Sequence, residues 1–293
     1  MTRLEKILSH VKKEGRGLEI GPSHSPVASK KAGYQVHVLD HLDREGLIQK
    51  YQGDACALSN IEEVDYVWNG ESYVELIGKT NCYDWIIASH VIEHVPDILG
   101  FLIDCSTLLK ETGVLSLAIP DKLFCFDYFR PLTGLANVVD VFLQKRKTHS
   151  PGVVLESLLY ATALNTEGAW GKNNLCADTF SLTETQENAL LQFDLAKKSE
   201  SYINAHGWCF TPHSFRLLIQ DLHALGFLSF QELAFYPQEG CEFFCTLSKT
   251  GPGTGLSRLE LLRKIELEQA RAIPRQKGLK LFGFWELRKL CRV

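Results

Sequence analysis

Along the first 120 residues, short apolar blocks alternate with amphipathic stretches. Leu18-Glu19-Ile20 reads as a buried strand entering a turn at Gly21, and Tyr34–Leu39 as a second strand closing on Asp40. Ser72–Lys79 then predicts a helix, Tyr83–Ala88 a buried strand, Pro96–Lys110 a helix and Gly113–Ile119 another strand. Strands alternating with helices imply right-handed crossovers and a mainly parallel sheet covered on both faces, an α/β fold.

The alternation stops after Pro120-Asp121. Residues 122–180 carry an aromatic cluster from Phe124 to Phe129, a basic run Lys145-Arg146-Lys147 followed by Thr148-His149, and polar turns. That is too long for a plain connection, so a helical insertion or lid is expected over about 122–205. Residues 182–203 and Thr211–Leu225 read as helices, and Leu228–Tyr236 with Glu242–Leu247 as an antiparallel pair at the sheet edge. One domain therefore spans 1–250, followed by a flexible glycine-rich linker at 251–256 and a helical, basic tail at 257–293. Between 271 and 293 there are seven Lys/Arg and one acid, a net +6, together with Phe282, Phe284, Trp285 and Leu287. Such a tail suits an anionic membrane surface, or packing on its own domain or a second copy of the chain.

Four landmarks carry the chemistry. After the first strand comes Gly21-Pro22-Ser23-His24-Ser25-Pro26; Asp40 ends the second strand; Gly53-Asp54-Ala55 follows; the fourth strand runs into Ser89-His90-Val91-Ile92-Glu93-His94-Val95-Pro96-Asp97. A glycine after the first strand lets backbone approach a ligand, and an acid about twenty residues later accepts hydrogen bonds from ribose hydroxyls. A pyrophosphate cradle would need G-x-G-x-x-G, whereas Pro22 removes an amide donor and no second glycine follows. Glu19, just before the turn, would repel phosphate and suits a cationic group. The spacing favours a nucleoside without phosphates.

In these residues the chain resembles the class I S-adenosylmethionine-dependent methyltransferases, over roughly 15–120. Glu19 and Gly21 match that family's first motif, Asp40 its ribose-binding acid, Asp54-Ala55 the pair beside adenine, and Ser89 through Asp97 the segment beside the methyl group. A weaker echo lies in His206-Gly-Trp-Cys-Phe-Thr-Pro. The resemblance implies S-adenosyl-L-methionine as cofactor, with Ser23 and His90 also touching it. It also implies a Rossmann-like, seven-stranded, mainly parallel sheet with an antiparallel last strand. Pro120 through Pro131 resembles methyltransferases encoded among bacterial glycan-assembly genes.

At 293 residues, 45% hydrophobic and 23% charged, the chain can bury a substantial core. A net charge of −4 and pI near 6.2 argue against a general nucleic-acid binder. Nine cysteines without a C-x-x-C pair read as reduced thiols of a cytoplasmic protein, with neither disulfide framework nor zinc site. Glu93 and His94 alone are too few ligands to predict a metal.

Methyl transfer from a sulfonium requires alignment, with a base only when the acceptor is a hydroxyl. If 90–94 forms a helical turn, Glu93 shares a face with His90 and His94 and can orient an imidazole. His94, with Glu93, is the first candidate base; His149 in the lid is the second and His206 another. Arg130, Lys145, Arg146 and Lys147 beside aromatic residues suit stacking on sugar rings and pairing with phosphate. A sugar or glycan hydroxyl is the expected acceptor. The alternatives are a lipophilic small molecule such as a quinone precursor, or an inactive cofactor-binding adapter.

Overall fold

A computed structural model describes residues 1–53, 58–171, 180–198 and 202–272, excluding the side chains of 271 and 272. Asp54, Ala55 and the basic tail beyond 272 lie outside the described residues, and with them the expectations placed there.

Seven strands form the central sheet: β1 (Arg16–Ile20), β2 (Gln35–Asp40), β3 (Tyr66–Val67), β4 (Tyr83–Ser89), β5 (Leu109–Pro120), β8 (Gln231–Glu239) and β9 (Glu242–Ser248). Their order across the sheet is β3-β2-β1-β4-β5-β9-β8, with β1 to β5 parallel and β9 inserted antiparallel between β5 and β8. This Rossmann-like topology is that of the class I methyltransferase fold. A separate two-stranded hairpin, β6 (Thr162–Leu164) with β7 (Phe180–Leu182), lies in the region after β5. The sequence pattern there predicts only helices, because three-residue strands leave too little alternation to read.

Both sheet faces are buried, as a parallel sheet requires. Leu18, Ile20, Ile86, Ala88, Leu115 and Leu117 belong to the larger core, which the Ile98–Leu108 and Pro212–Ala224 helices cover. The residues between them, Val36, Trp85, Ile87, Val114 and Ala118, point into a smaller core that includes Ile7 and Phe244. Gly17 on β1 is dictated by this second layer: a Cβ there would lie 2.1 Å from the Trp85 ring. The indole itself donates to the carbonyls of Lys12 and Gly15.

Element ends follow from capping. Asp97 accepts a hydrogen bond from the Gly100 amide at 2.9 Å, so the helix predicted from Pro96 begins at Ile98. Ser72 and Glu75 form a capping box for Tyr73–Ile77. The expected helix over 182–203 is found at Gln186–Lys198, and that over 211–225 at Pro212–Ala224.

After β9 the chain is not free. A Cβ on Gly251 would meet the Gln231 and Glu232 carbonyls at 2.7 Å, and Thr254 donates to Gln220. The following helix, Arg258–Ala272, buries Leu261 and Ile265, pairs Arg258 with Asp221 at 2.9 Å, and pairs Glu268 with His213. The expected flexibility of 251–256 is therefore replaced by packing against β8 and the 212–224 helix. The mid-section carries the helices Leu135–Leu143 and Pro151–Leu159, in addition to Gln186–Lys198. Among the described residues, no helix is long and apolar enough to cross a membrane.

Candidate functional site

A cavity of about 300 Å³ opens at the carboxyl ends of β1, β2 and β4. β2 lies on one side of β1 and β4 on the other, which makes this the topological switch point where ligands of open α/β sheets bind. Gly21, Ser23, Asp40, Ser89, His90 and His94 all line it.

Gly21 has φ +63°, and a Cβ there would sit 2.8 Å from Val91, so the tight turn needs both its left-handed backbone and its missing side chain. Ser23 is also left-handed, φ +53°, and its buried hydroxyl has no hydrogen-bond partner. The Asp40 carboxylate accepts from the Ser23 amide at 3.0 Å and from His41 through its amide at 2.8 Å and Nδ1 at 2.6 Å. Those contacts orient the carboxylate and leave one lone pair, on Oδ2, to meet a ligand hydroxyl. Aromatic side chains Tyr51, Trp68 and Tyr73 line the same cavity, a flat apolar surface that the sequence motifs do not mark.

Glu19 takes a different place. It is buried, absent from the cavity wall, and accepts from the amides of Val27 at 2.6 Å and Ala28 at 3.0 Å. Instead of meeting a ligand's amino group it ties the 21–28 loop to β1. Burial, opposed by those two amides, pushes its carboxyl up to about 7.

Residues 90–94 form a turn rather than a helix, because His90 is left-handed at φ +54°. The turn still groups the expected residues. His90 Nδ1 lies 3.6 Å from Glu93, and His94 Nε2 lies 3.8 Å from it. His90 is held through Nε2 by Glu242 at 2.9 Å; burial would lower its pKa, but the Glu242 and Glu93 carboxylates raise it. Ser89 accepts a 2.7 Å hydrogen bond from Arg3, which also pairs with Glu242.

Glu93 is 1% exposed, and neither carboxylate oxygen has a hydrogen-bond partner. Burial drives its pKa upward against the pull of His206 and His90. His206 comes from the segment before the 212–224 helix and stacks edge-on against His94, ring centroids 4.5 Å apart. Behind it, His206 Nδ1 bonds to Asp127, and Arg130 donates to Asp127 at 2.8 Å and to the His206 carbonyl at 2.7 Å. Burial opposes the charge on Asp127, but His206 and Arg130 outweigh it and hold the carboxyl down to about 2. Burial, with His206 close by, holds His94 down to about 3, so its imidazole is neutral at neutral pH.

Two lid expectations change. His149 is buried and absent from this cavity; its Nε2–H donates to the His94 carbonyl at 3.0 Å, and burial holds it down to about 4. It positions the turn and also lines the second cavity described below. Arg130 is also buried, paired with Asp127 at 2.8 Å and with Glu156 at 3.4 Å, in the wall of the second cavity. Asp127 carries no sequence signal as a site residue, since only the tertiary fold brings it to His206. Tyr202 and Asn204, which line the cavity, are equally silent in sequence.

A second cavity of about 540 Å³ has Pro96 in its wall, the residue next to Val95 in the wall of the first. Thr133, Asn137, Asp140, Gln144, Thr148 and Ser150 give it a wall of hydroxyls, amides and a carboxylate.

No family model matches the chain, and no curated protein matches it. Solved structures do. A candidate S-adenosylmethionine-dependent methyltransferase from Listeria monocytogenes aligns at 10% identity over 84% of this chain and 97% of its own, TM-score 0.43. An S-adenosylmethionine-dependent methyltransferase from Thermotoga maritima aligns at 13% identity over 84% and 89%, TM-score 0.38. A candidate zinc-dependent alcohol dehydrogenase from Rhodobacter sphaeroides aligns at 13% identity over 84% and 87%, TM-score 0.42. At these values function rests on the site's own chemistry.

Proposed function

We propose that this protein transfers a methyl group from S-adenosyl-L-methionine to a hydroxyl of a sugar or glycan precursor. The observation that carries the cofactor reading is Asp40, a buried carboxylate at the end of β2, facing the switch-point cavity beside a turn that has one glycine and a proline. A ribose fits the acid, while Pro22 leaves no amide cradle for a pyrophosphate. Fit at the other end is supported by the buried, unpaired Ser23 hydroxyl and by the close approach at Gly21.

S-adenosylmethionine would supply an electrophilic methyl on a sulfonium. An acceptor hydroxyl oxygen would bond to that carbon in line as its C–S bond breaks, with S-adenosylhomocysteine leaving as the neutral thioether and the hydroxyl proton passing to a base. Asp40 and Ser23 would hold the cofactor's polar groups, and Tyr51 and Trp68 would enclose its flat nucleobase. His94 is the candidate proton acceptor: it lines the cavity and its imidazole is unprotonated, and the Glu93 carboxylate 3.8 Å from Nε2 would have to stabilise the imidazolium that burial disfavours. The second cavity, whose lining mixes apolar residues such as Leu132, Val141 and Val153 with hydroxyl and amide groups, supports a sugar acceptor, which presents both C–H faces and hydroxyls.

Calorimetry with S-adenosylmethionine, S-adenosylhomocysteine and NAD tests the cofactor. Binding of the first two and not the third is expected, and preferential binding of NAD would overturn the assignment. Labelled methyl transfer to panels of sugars and phenols tests the acceptor. Transfer confined to phenols would replace the sugar by a lipophilic small molecule.

A further inference from the structure

The unpartnered Glu93 carboxylate is the least explained group in the molecule. It is fully enclosed, both oxygens lack a hydrogen-bond partner, and two imidazoles converge on it. Leaving a buried carboxylate without compensation is costly, and buried charges in proteins are paired or coordinate metals. The ligand atoms offered by Glu93, His94 and His206 lie within 4.8 Å of one another. His206 Nδ1 is engaged by Asp127, which leaves Nε2 free and fixes the ring; His94 presents Nε2 at 3.8 Å from Glu93.

We propose that Glu93, His94 and His206 form a binding site for one divalent first-row transition ion, with zinc the leading occupant. Two imidazoles and one carboxylate suit zinc, iron, cobalt or manganese better than calcium or magnesium, which take mainly oxygen ligands. Tetrahedral zinc with bonds of about 2.0–2.2 Å needs ligand atoms about 3.3–3.6 Å apart, so small side-chain adjustments close the present spacing. Asp127 supplies the carboxylate–histidine–metal arrangement that orients a ligand and raises its basicity, and Arg130 holds Asp127 in turn.

Three protein ligands leave a coordination position open. His94 lines the cofactor cavity; with an ion on its Nε2 it would be a ligand and no longer a proton acceptor, so its roles as ligand and as base belong to the ion-bound and ion-free protein respectively. Sequence alone shows only the adjacent Glu93-His94 pair, and folding adds His206. The site does not depend on the methyl-transfer reading, because ion binding is measured without a methyl donor.

The test uses the full chain, stripped with chelator and dialysed, then titrated with Zn²⁺ and separately with Co²⁺ as an optical probe. One ion per chain is expected. Glu93→Gln and His206→Gln should each weaken binding at least tenfold, and Asp127→Asn roughly ten- to a hundredfold. His213→Gln, which alters another histidine–carboxylate pair, should leave it unchanged. Circular dichroism and melting temperature establish that each variant is folded. Absence of binding, retention of wild-type affinity in both ligand variants, or a thiolate charge-transfer band with Co²⁺ would overturn the site.

Discussion

The floor of the cavity and its wall are assembled by different physics. Gly21, Asp40 and Ser89 stand at or just beyond the carboxyl ends of three adjacent parallel strands, so the register of β1 with β2 and β4 is enough to bring them together. The wall consists of the adjacent pair Glu93 and His94 together with His206, Asp127 and Arg130 from other segments; Asp127 and Arg130 form a buried ion pair that holds His206, and His94 stacks on His206. Floor residues act one by one on a ligand. In the wall Asp127, Arg130 and His206 act on each other, and removing one of the three leaves a buried partner uncompensated.

The largest effect should therefore fall on the wall and on rate. His94→Ala is expected to lower methyl transfer by about 10²–10⁴-fold, the range for loss of a positioned acid–base group, while cofactor affinity stays within a few-fold. Single-turnover kinetics with calorimetry on the same preparation checks both. If the rate were unchanged, the wall would be scaffolding and alignment on the floor would suffice.

Next comes stability. Arg130→Ala removes the guanidinium beside Asp127 and should cost about 3–5 kcal/mol, because a buried carboxylate loses one of its two partners and keeps only His206. Urea unfolding measures it. An exposed pair gives the contrast: Lys197→Ala, which breaks the pair with Asp194, should cost under about 1 kcal/mol. Equal costs would erase the distinction between a desolvated network and ordinary surface charge.

The same contrast explains what the sequence makes legible. Strand positions follow from short apolar blocks, and the fold order follows from their alternation with helices, so β1, β2, β4, β5 and the β8–β9 pair can be located by pattern. Asp40 can be located because its distance from the first turn is set by one crossover. The wall is different: His206 and Asp127 are far apart in sequence, and no local spacing joins them. His90–His94 misleads as a helical turn because nothing local announces that His90 adopts φ +54°. Glu19 misleads in the same way, since an acid beside a glycine turn can face a ligand or its own loop, and only the Val27 and Ala28 amides decide. The β6–β7 hairpin is too short to leave a pattern.

A smaller effect belongs to the floor. Asp40→Ala should weaken S-adenosylmethionine binding by about 1.5–3 kcal/mol, the range for hydrogen bonds to a charged group, with the fold intact. Calorimetry against the folded variant measures it. Unchanged affinity would mean that the ribose acid lies elsewhere and that the floor is not organised by its strand ends.

The smallest effect concerns Glu19, the residue that belongs to the floor by sequence and to the scaffold by contact. Its carboxyl is raised to about 7, with burial as the main cause, against an ordinary value of 4.5. Between those values the folded chain holds a proton that the unfolded chain has released, so stability contributed by this group is full below about pH 4.5 and is lost as pH rises through about 7. Glu19→Gln cannot titrate, so the stability difference between wild type and variant should change steadily between about pH 4.5 and 7 and level off outside it. The two amides of Val27 and Ala28 prefer the charged form, and they limit the size of the change. Urea titrations of both proteins across that range measure it. A difference independent of pH would mean that Glu19 stays ionised throughout, its charge fully compensated by the loop amides, and the loop would then be anchored as firmly as the wall.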